Sequence, residues 1–282
     1  MKTILVPTDF SESAHIGLKT AIQLARYTQA KVQVLHVLEP PRLAKGSQES
    51  VFTDHELEDK YMKYLQEIAD MKLKGELEKL HCEVPIEHEA ALGNLFEVLH
   101  KYLEQEKVAF VVSGTHSLSS WQGQWTETNT EKLVRYAPCP VLAVKQEMET
   151  LPVTKMVFAT NLKDVEDRTI QQLKYFQEVF ATELSVLYIN TASNFQTQRH
   201  INDLHNKFHA KAKLKNYIFH SYADENAEEG ILHYMEDEKC DLLALATNQR
   251  TGVSRWLAGS IAENLVNRAS FPVLTFGLKH GK

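Results

Sequence analysis

Short apolar runs alternate with longer amphipathic stretches along the whole chain, and the alternation predicts strands separated by helices. Thr3–Pro7 reads as a buried strand. Across 11–28, Ala14, Leu18, Ala21, Ile22 and Ala25 recur at helical spacing, with Ser11 placed to cap the helix. The β-branched run 31–39 predicts a second strand. A charged amphipathic helix follows over about 54–80, its apolar stripe being Leu57, Tyr61, Tyr64, Leu65 and Ile68. This helix is expected to lie over the sheet, behind a polar loop at 45–53 open to proteolysis. Strand 83–90, helix 93–106, strand 108–113, helix 128–136 and strand 140–145 complete the first half.

The pattern then repeats. ILVPTDF (4–10) matches MVFATNL (156–162), and VLHV (34–37) matches VLYI (186–189), at an offset of 152. Further on, VAFVVSG (108–114) matches CDLLALA (240–246) at an offset of 132. The smaller offset also maps Pro140 onto Pro272, Tyr102 onto Tyr234 and His88 onto His220. The first copy therefore carries 20 extra residues after its second strand. A period this long marks two copies of a whole domain, since solenoid units are shorter. The expected domains are 1–146, with the longer helical insertion at 38–85, and 153–279. Strand–helix alternation implies parallel pairing through right-handed crossovers, giving two tandem α/β domains with open sheets flanked by helices. Ligands of such sheets bind beyond the carboxyl ends of the strands.

Composition narrows the function classes. A chain of 282 residues with 43% hydrophobic and 24% charged residues is globular rather than disordered. A net charge of −6 gives no overall attraction to nucleic acid or anionic lipid, so neither is expected as a partner. The aliphatic runs are strand-sized, and the N-terminal one is too short for a signal-peptide core. Cys82, Cys139 and Cys240 form no CxxC pair. These features fit a reducing cytoplasm. His205 and His209 have a metal-capable i, i+4 spacing, and His200 lies on the same helix. No HExxH arrangement accompanies them, so a solvated helix face is expected and no metal site is assigned. Trp121 and Trp125 are read as cover for an apolar surface.

Candidate chemistry lies where strands end. After the fourth strand, the first copy runs GTHSLSSWQGQWTETNTEKLVRYAPCPVLAVK (114–145), and the second runs ATNQRTGVSRWLAGSIAENLVNRASFPVLTF (246–276). With the ILVPTDFSES opening and the VLHV strand, these segments resemble the universal stress protein family. Its nucleotide-binding members carry Gly-x2-Gly-x9-Gly-Ser/Thr here, and the resemblance spans both copies nearly end to end. It implies an adenine-nucleotide α-hydrolase-like fold, with the two copies packed as an intramolecular pseudo-dimer through strands 141–144 and 273–276. It also implies a bacterial, cytoplasmic setting. Glycines admit backbone N–H groups close to phosphate, and a hydroxyl at a helix N-terminus meets the favourable end of the dipole. By position, the resemblance assigns Asp9, Val37, Gly114, Ser117 and Thr128 to the first nucleotide site. Asn161, Ile189, Gln249, Gly259 and Ser260 fall in the second, with Arg250 and Arg255 as nearby positive charge.

Both motifs are incomplete. Ser117 and Glu127 replace two glycines in the first copy, while Ala246 and Gln249 replace two in the second. A carboxylate about 4 Å from a phosphate costs up to roughly 4 kcal/mol at an effective dielectric near 20. Thr128-x-x-Glu131 and Ser260-x-x-Glu263 also fit capping boxes, which would account for both hydroxyls without a ligand. Asp9 equally suits a turn between strand and helix. The expected function is a non-catalytic stress-response sensor or adaptor with degraded nucleotide sites, no obligatory cofactor and an unidentified protein partner. The alternative is genuine binding of ATP or another adenine nucleotide, with slow hydrolysis. Catalytic residues are not assigned, because GxSxG, Walker, HxGH and SGGxDS patterns do not occur. Pairing of whole chains into a homodimer stays open.

Overall fold

The computed structural model describes residues 2–39, 55–80, 82–105, 108–115, 129–148, 153–163, 165–247 and 259–277. The chain divides into two compact units, Met1–Val112 and Ser113–Lys282.

The first unit contains β1 (Thr3–Pro7), α1 (Glu12–Thr28), β2 (Lys31–Leu38), α2 (His55–Glu78), β3 (Ile86–Leu92) and α3 (Leu95–Gln105). It also holds most of β4 (Val108–Gly114). The strand order is β3-β2-β1-β4, with parallel pairing throughout. Ile4, Leu5 and Val6 are fully buried, and Leu18, Ala21 and Leu24 of α1 are buried with them. Ser11 caps α1 as expected, its hydroxyl accepting from the Ala14 amide.

Helix α2 turns a different face inward from the one its large apolar residues suggest. Met62, Ala69 and Leu73 are buried, and the Gln66 amide donates to the Ala90 carbonyl of β3. Tyr61, Tyr64 and Ile68 instead stand exposed, at 43, 59 and 39%. A small residue such as Ala69 on the buried face lets a helix pack closely, as bulky tyrosines would not. The expected loop at 45–53 lies outside the described residues, as does the Leu57 side chain.

The second unit contains α4 (Asn129–Tyr136), β5 (Val141–Val144), β6 (Lys155–Ala159), α5 (Asp167–Phe180), β7 (Glu183–Thr191) and α6 (Gln198–Ala212). It continues through β8 (Tyr217–Asp224), α7 (Ala227–Asp237), β9 (Leu242–Thr247), α8 (Gly259–Arg268) and β10 (Val273–Gly277). The order is β5-β10-β9-β6-β7-β8, and only the β5–β10 pair is antiparallel. Phe158, Phe176, Phe180 and Phe276 form its aromatic core.

Strand register tests the repeat. Ile4 pairs with Val32 and Phe110, while Met156 pairs with Leu184 and Leu242, as the two offsets require. One correspondence shifts. Val34 pairs with His88, but its counterpart Val186 pairs with Phe219, so His88 matches Phe219 and not His220. A one-residue slip reverses the face of a strand. Accordingly His88 lies 3.5 Å from Asp70 of α2, whereas the His220 ring meets Tyr234 of α7.

The expected pairing of 141–144 with 273–276 is present and is two-fold in character. Leu142 faces its own counterpart Leu274, with Val141 against Thr275 and Ala143 against Val273. This is the self-complementary pattern of an isologous interface. The helices beside it follow the same rule. Arg135 of α4 makes a bidentate pair with Glu263 of α8, and Asn267 of α8 donates to Glu131 of α4. Glu263 therefore turns both oxygens to Arg135 rather than back toward the start of its own helix, as a capping box would need. Pairing with β10 and α8 explains why β5 and α4 belong to the second unit.

Candidate functional site

Three strand ends meet in the second unit. Ala159 of β6 pairs with Leu187 of β7 and Leu245 of β9, so Asn161, Ile189 and Thr247 lie two residues beyond the same level. The Thr160 amide extends the ladder by donating to the Leu187 carbonyl. Its hydroxyl accepts from the Leu162 amide, and Asn161 Oδ1 accepts from the Lys163 amide at 3.0 Å. Asn161 thus closes an Asx turn. Leu162, buried, adopts φ 66°, a left-handed conformation that costs a non-glycine residue roughly 1–2 kcal/mol. The surrounding bonds hold that strain in place.

Ile189 is buried against α7. A Cβ at Gly230 would stand 2.7 Å from Ile189 Cγ2, so this helix approaches the strand end only because residue 230 is glycine. Asn190 next takes both backbone groups of Gln196, accepting from its amide and donating to its carbonyl. The chain leaving β7 is thereby pinned. Thr247, at the end of β9, donates to the Phe276 carbonyl. Helix α8 opens at Gly259, which places Ser260 in its first turn. The N-terminal end of a helix is electropositive. Gln249, Arg250 and Arg255 lie outside the described residues.

The first copy builds the same turn in the first unit. The Thr8 amide donates to the Leu35 carbonyl, the Thr8 hydroxyl accepts from Phe10, and Asp9 Oδ1 accepts from Ser11 at 2.9 Å. Phe10 is left-handed at φ 64°. His36 Nδ1 is 2.7 Å from the Thr8 carbonyl, its ring lies 4.6 Å from the Phe10 ring, and Lys72 Nζ stands 3.9 Å from that ring's centre. Val37 is half-buried and pairs with Ala91 of β3.

Gly114 lies in the second unit, where its carbonyl accepts from the Thr130 hydroxyl. Ser113 also bonds Thr130, and the Thr115 amide donates to Val144. Ser117, Glu127, Thr128, Trp121 and Trp125 fall outside the described residues.

Sequence reasoning missed Thr8 and Thr160, His36, Asn190, Gly230 and Thr130. The matched PTDF and ATNL segments already carried the threonine signal; the others depend on contacts between distant segments. His205 also departs from expectation. It is half-buried and stacked on Phe219, with ring centres 4.1 Å apart. Burial and the neighbouring His209 push its pKa below the usual imidazole value. Burial also raises the Cys240 thiol to about 11, which disfavours its thiolate. Among the described residues no helix is long and apolar enough to cross a membrane. Nor, among them, do three or more His, Cys, Asp or Glu side chains gather to hold a metal.

Comparison with known proteins agrees with this architecture. The model of the universal stress protein family matches residues 1–145 and again 153–276. A universal stress protein of Synechocystis is 24% identical over 296 residues, covering 98% of this chain and all of the relative. One from Methanocaldococcus jannaschii is 29% identical over 160 residues, 52% of this chain and 96% of its own. Among solved structures, a universal stress protein of Archaeoglobus fulgidus superposes with a TM-score of 0.69 at 16% identity, covering 98% of each chain. A functionally unknown protein of Pseudomonas aeruginosa superposes at 0.60, also at 16% identity, over 99% of this chain and 93% of its own. With two successive family matches and neighbours of this fold along its whole length, the chain belongs to the universal stress protein family and is a tandem member of it.

Proposed function

We propose that this chain is a non-catalytic, cytoplasmic sensor or adaptor of the stress response, whose two nucleotide sites are degraded. Its domains would run 1–146 and 153–279, paired within the molecule, with a separate protein as the downstream partner. The observation that carries this reading is the loss of two motif glycines in each copy: Ser117 and Glu127 in one, Ala246 and Gln249 in the other. A side chain at each position keeps backbone N–H groups away from a phosphate, and Glu127 adds repulsion. A second reading, ATP binding in the second copy, is favoured by Gly259 and Ser260 at the head of the ten-residue helix α8.

Mass spectrometry of the denatured protein should find no co-purified nucleotide, and calorimetry should show weak ATP binding or none. Glu127→Gly should strengthen binding by removing a charge and restoring backbone approach. Tight wild-type binding that ignores Glu127→Gly and is lost on Ser260→Ala would sink the degraded-site reading and establish the second copy as the working site.

A further inference from the structure

The outer strand of the second unit, β8, holds a polar cluster that neither nucleotide site uses. His205 and His209 lie one turn apart on α6 and both reach Tyr217, the first residue of β8. His205 Nε2 and His209 Nδ1 each stand 2.9 Å from the Tyr217 oxygen. A phenol has one proton to give, so one imidazole accepts it while the other donates its own N–H. Stacking on Phe219, with ring planes within 7°, fixes the His205 ring. The first copy has no equivalent, since Ile86 occupies the register position of Tyr217.

We propose that His205, His209 and Tyr217 form a site for one divalent late-transition-metal ion, Cu(II) in preference to Ni(II), bound by two imidazole nitrogens and a phenolate oxygen. The spacing selects the ion. Each imidazole nitrogen stands 2.9 Å from the phenol oxygen, and a nitrogen and an oxygen that far apart, each about 2.0–2.1 Å from one metal, subtend about 90° at it, whereas a tetrahedral ion needs about 3.3 Å between donors. Right-angled N and O donors suit tetragonal Cu(II) and Ni(II), and the affinity order places copper first. The i, i+4 spacing supplied two ligands in the sequence, and the fold brings the third from a separate strand.

The proton balance is simple. The phenol O–H proton leaves to solvent, and the imidazole N–H that faced the oxygen moves to the other nitrogen of its ring. From the site with both imidazoles neutral, each ion taken up therefore releases one proton. Exposed His209 leaves the site open to solvent, where water completes the coordination.

The test is a titration of the untagged full-length chain with copper(II) sulfate, followed by calorimetry and visible absorption. The wild type should bind one more equivalent of copper than His209→Ala, and a phenolate-to-copper absorption band should appear. Tyr217→Phe, which keeps the ring, should bind about tenfold more weakly and lack the band. Circular dichroism confirms that each variant is folded. Nickel(II) should raise the Tm of the wild type and leave that of His209→Ala unchanged. Equal copper stoichiometry and affinity in the wild type and His209→Ala would overturn the site. So would a wild-type complex without the band whose affinity survives Tyr217→Phe, since tyrosine would then be no ligand.

Discussion

The first strand of each copy ends in the same turn, whereas the link from the second strand to the third shares almost nothing between them. In both turns a threonine hydroxyl and an Asx oxygen each accept a backbone N–H, around a large apolar residue in the left-handed region. Asp9 and Asn161 differ in charge, yet each presents the one oxygen that the turn requires. The link has no such constraint. One copy fills it with the 24-residue helix α2, and the other with the 15-residue helix α6, a loop pinned by Asn190 and a one-residue change of register. Backbone geometry that every copy must satisfy is retained, while solvent-facing links are free to diverge.

The two-fold seam in the second unit offers the sharpest test, because at its centre Leu142 and its counterpart Leu274 face each other. Leu142 and Leu274 are both fully buried at its centre. Leu142→Ala and Leu274→Ala should each cost about 2–5 kcal/mol in urea denaturation, by similar amounts. Costs that differ by more than half would show that the seam is not two-fold in energy.

The seam's outer positions break the symmetry. Gly277 is the counterpart of Lys145, and a Cβ at Gly277 would lie 2.1 Å from the Ala137 carbonyl oxygen. Gly277→Ala must move backbone, at about 1–3 kcal/mol. Lys145 instead donates its ammonium to the Asn267 carbonyl, and burial lowers its pKa to about 8. A lysine whose folded pKa lies below its ordinary 10.5 opposes folding most fully below about pH 8, and that penalty is relieved as pH rises toward 10.5. Lys145→Met should therefore flatten the gain in Tm between pH 8 and 10, while Gly277→Ala lowers Tm at every pH.

A smaller effect should follow at the paired helices. Arg135–Glu263 is a bidentate pair, whereas its counterpart has Asn267 in place of the arginine. Glu263→Gln should cost about 1–2 kcal/mol, because one carboxylate oxygen becomes a donor facing a donor. Asn267→Arg should return about 0.5 kcal/mol by restoring the second pair to Glu131. Loss of stability in Asn267→Arg would mean that the seam tolerates only one arginine.

What could be read beforehand depended on whether local pattern or distant packing decides. Thr3–Pro7 and Lys31–Leu38 are apolar runs that only a buried strand accommodates, and both formed within a residue of expectation. Helix α2 carries two apolar stripes, and the one with Met62, Ala69 and Leu73 is buried, a choice that packing against the rest of the fold makes and a linear pattern does not show. The sequence match of His88 with His220 fails in the structure, because a one-residue slip leaves composition unchanged while reversing the face. The resemblance singles out Asp9 and Asn161, and each closes an Asx turn at the end of its first strand. The contact of Gly230 with Ile189 was hidden, because its partners lie on separate elements.

The smallest expected effect returns to the two turns. Asp9 and Asn161 present Oδ1 to the amide two residues on, at 2.9 and 3.0 Å, and an Asx turn asks for no more than that acceptor. The turn therefore gives no reason for aspartate in one copy and asparagine in the other. Asp9→Asn and Asn161→Asp should each change stability by less than about 0.5 kcal/mol, as substitutions that disturb no buried group do. Asp9→Ala and Asn161→Ala should cost more, about 1 kcal/mol, because the amides of Ser11 and Lys163 lose their acceptor. Thermal denaturation of the four variants checks this ranking. If Asp9→Asn costs as much as Asp9→Ala, charge at Asp9 supports the fold, and the difference between the copies is structural. If both exchanges are neutral, the difference lies in what each strand end presents to a ligand.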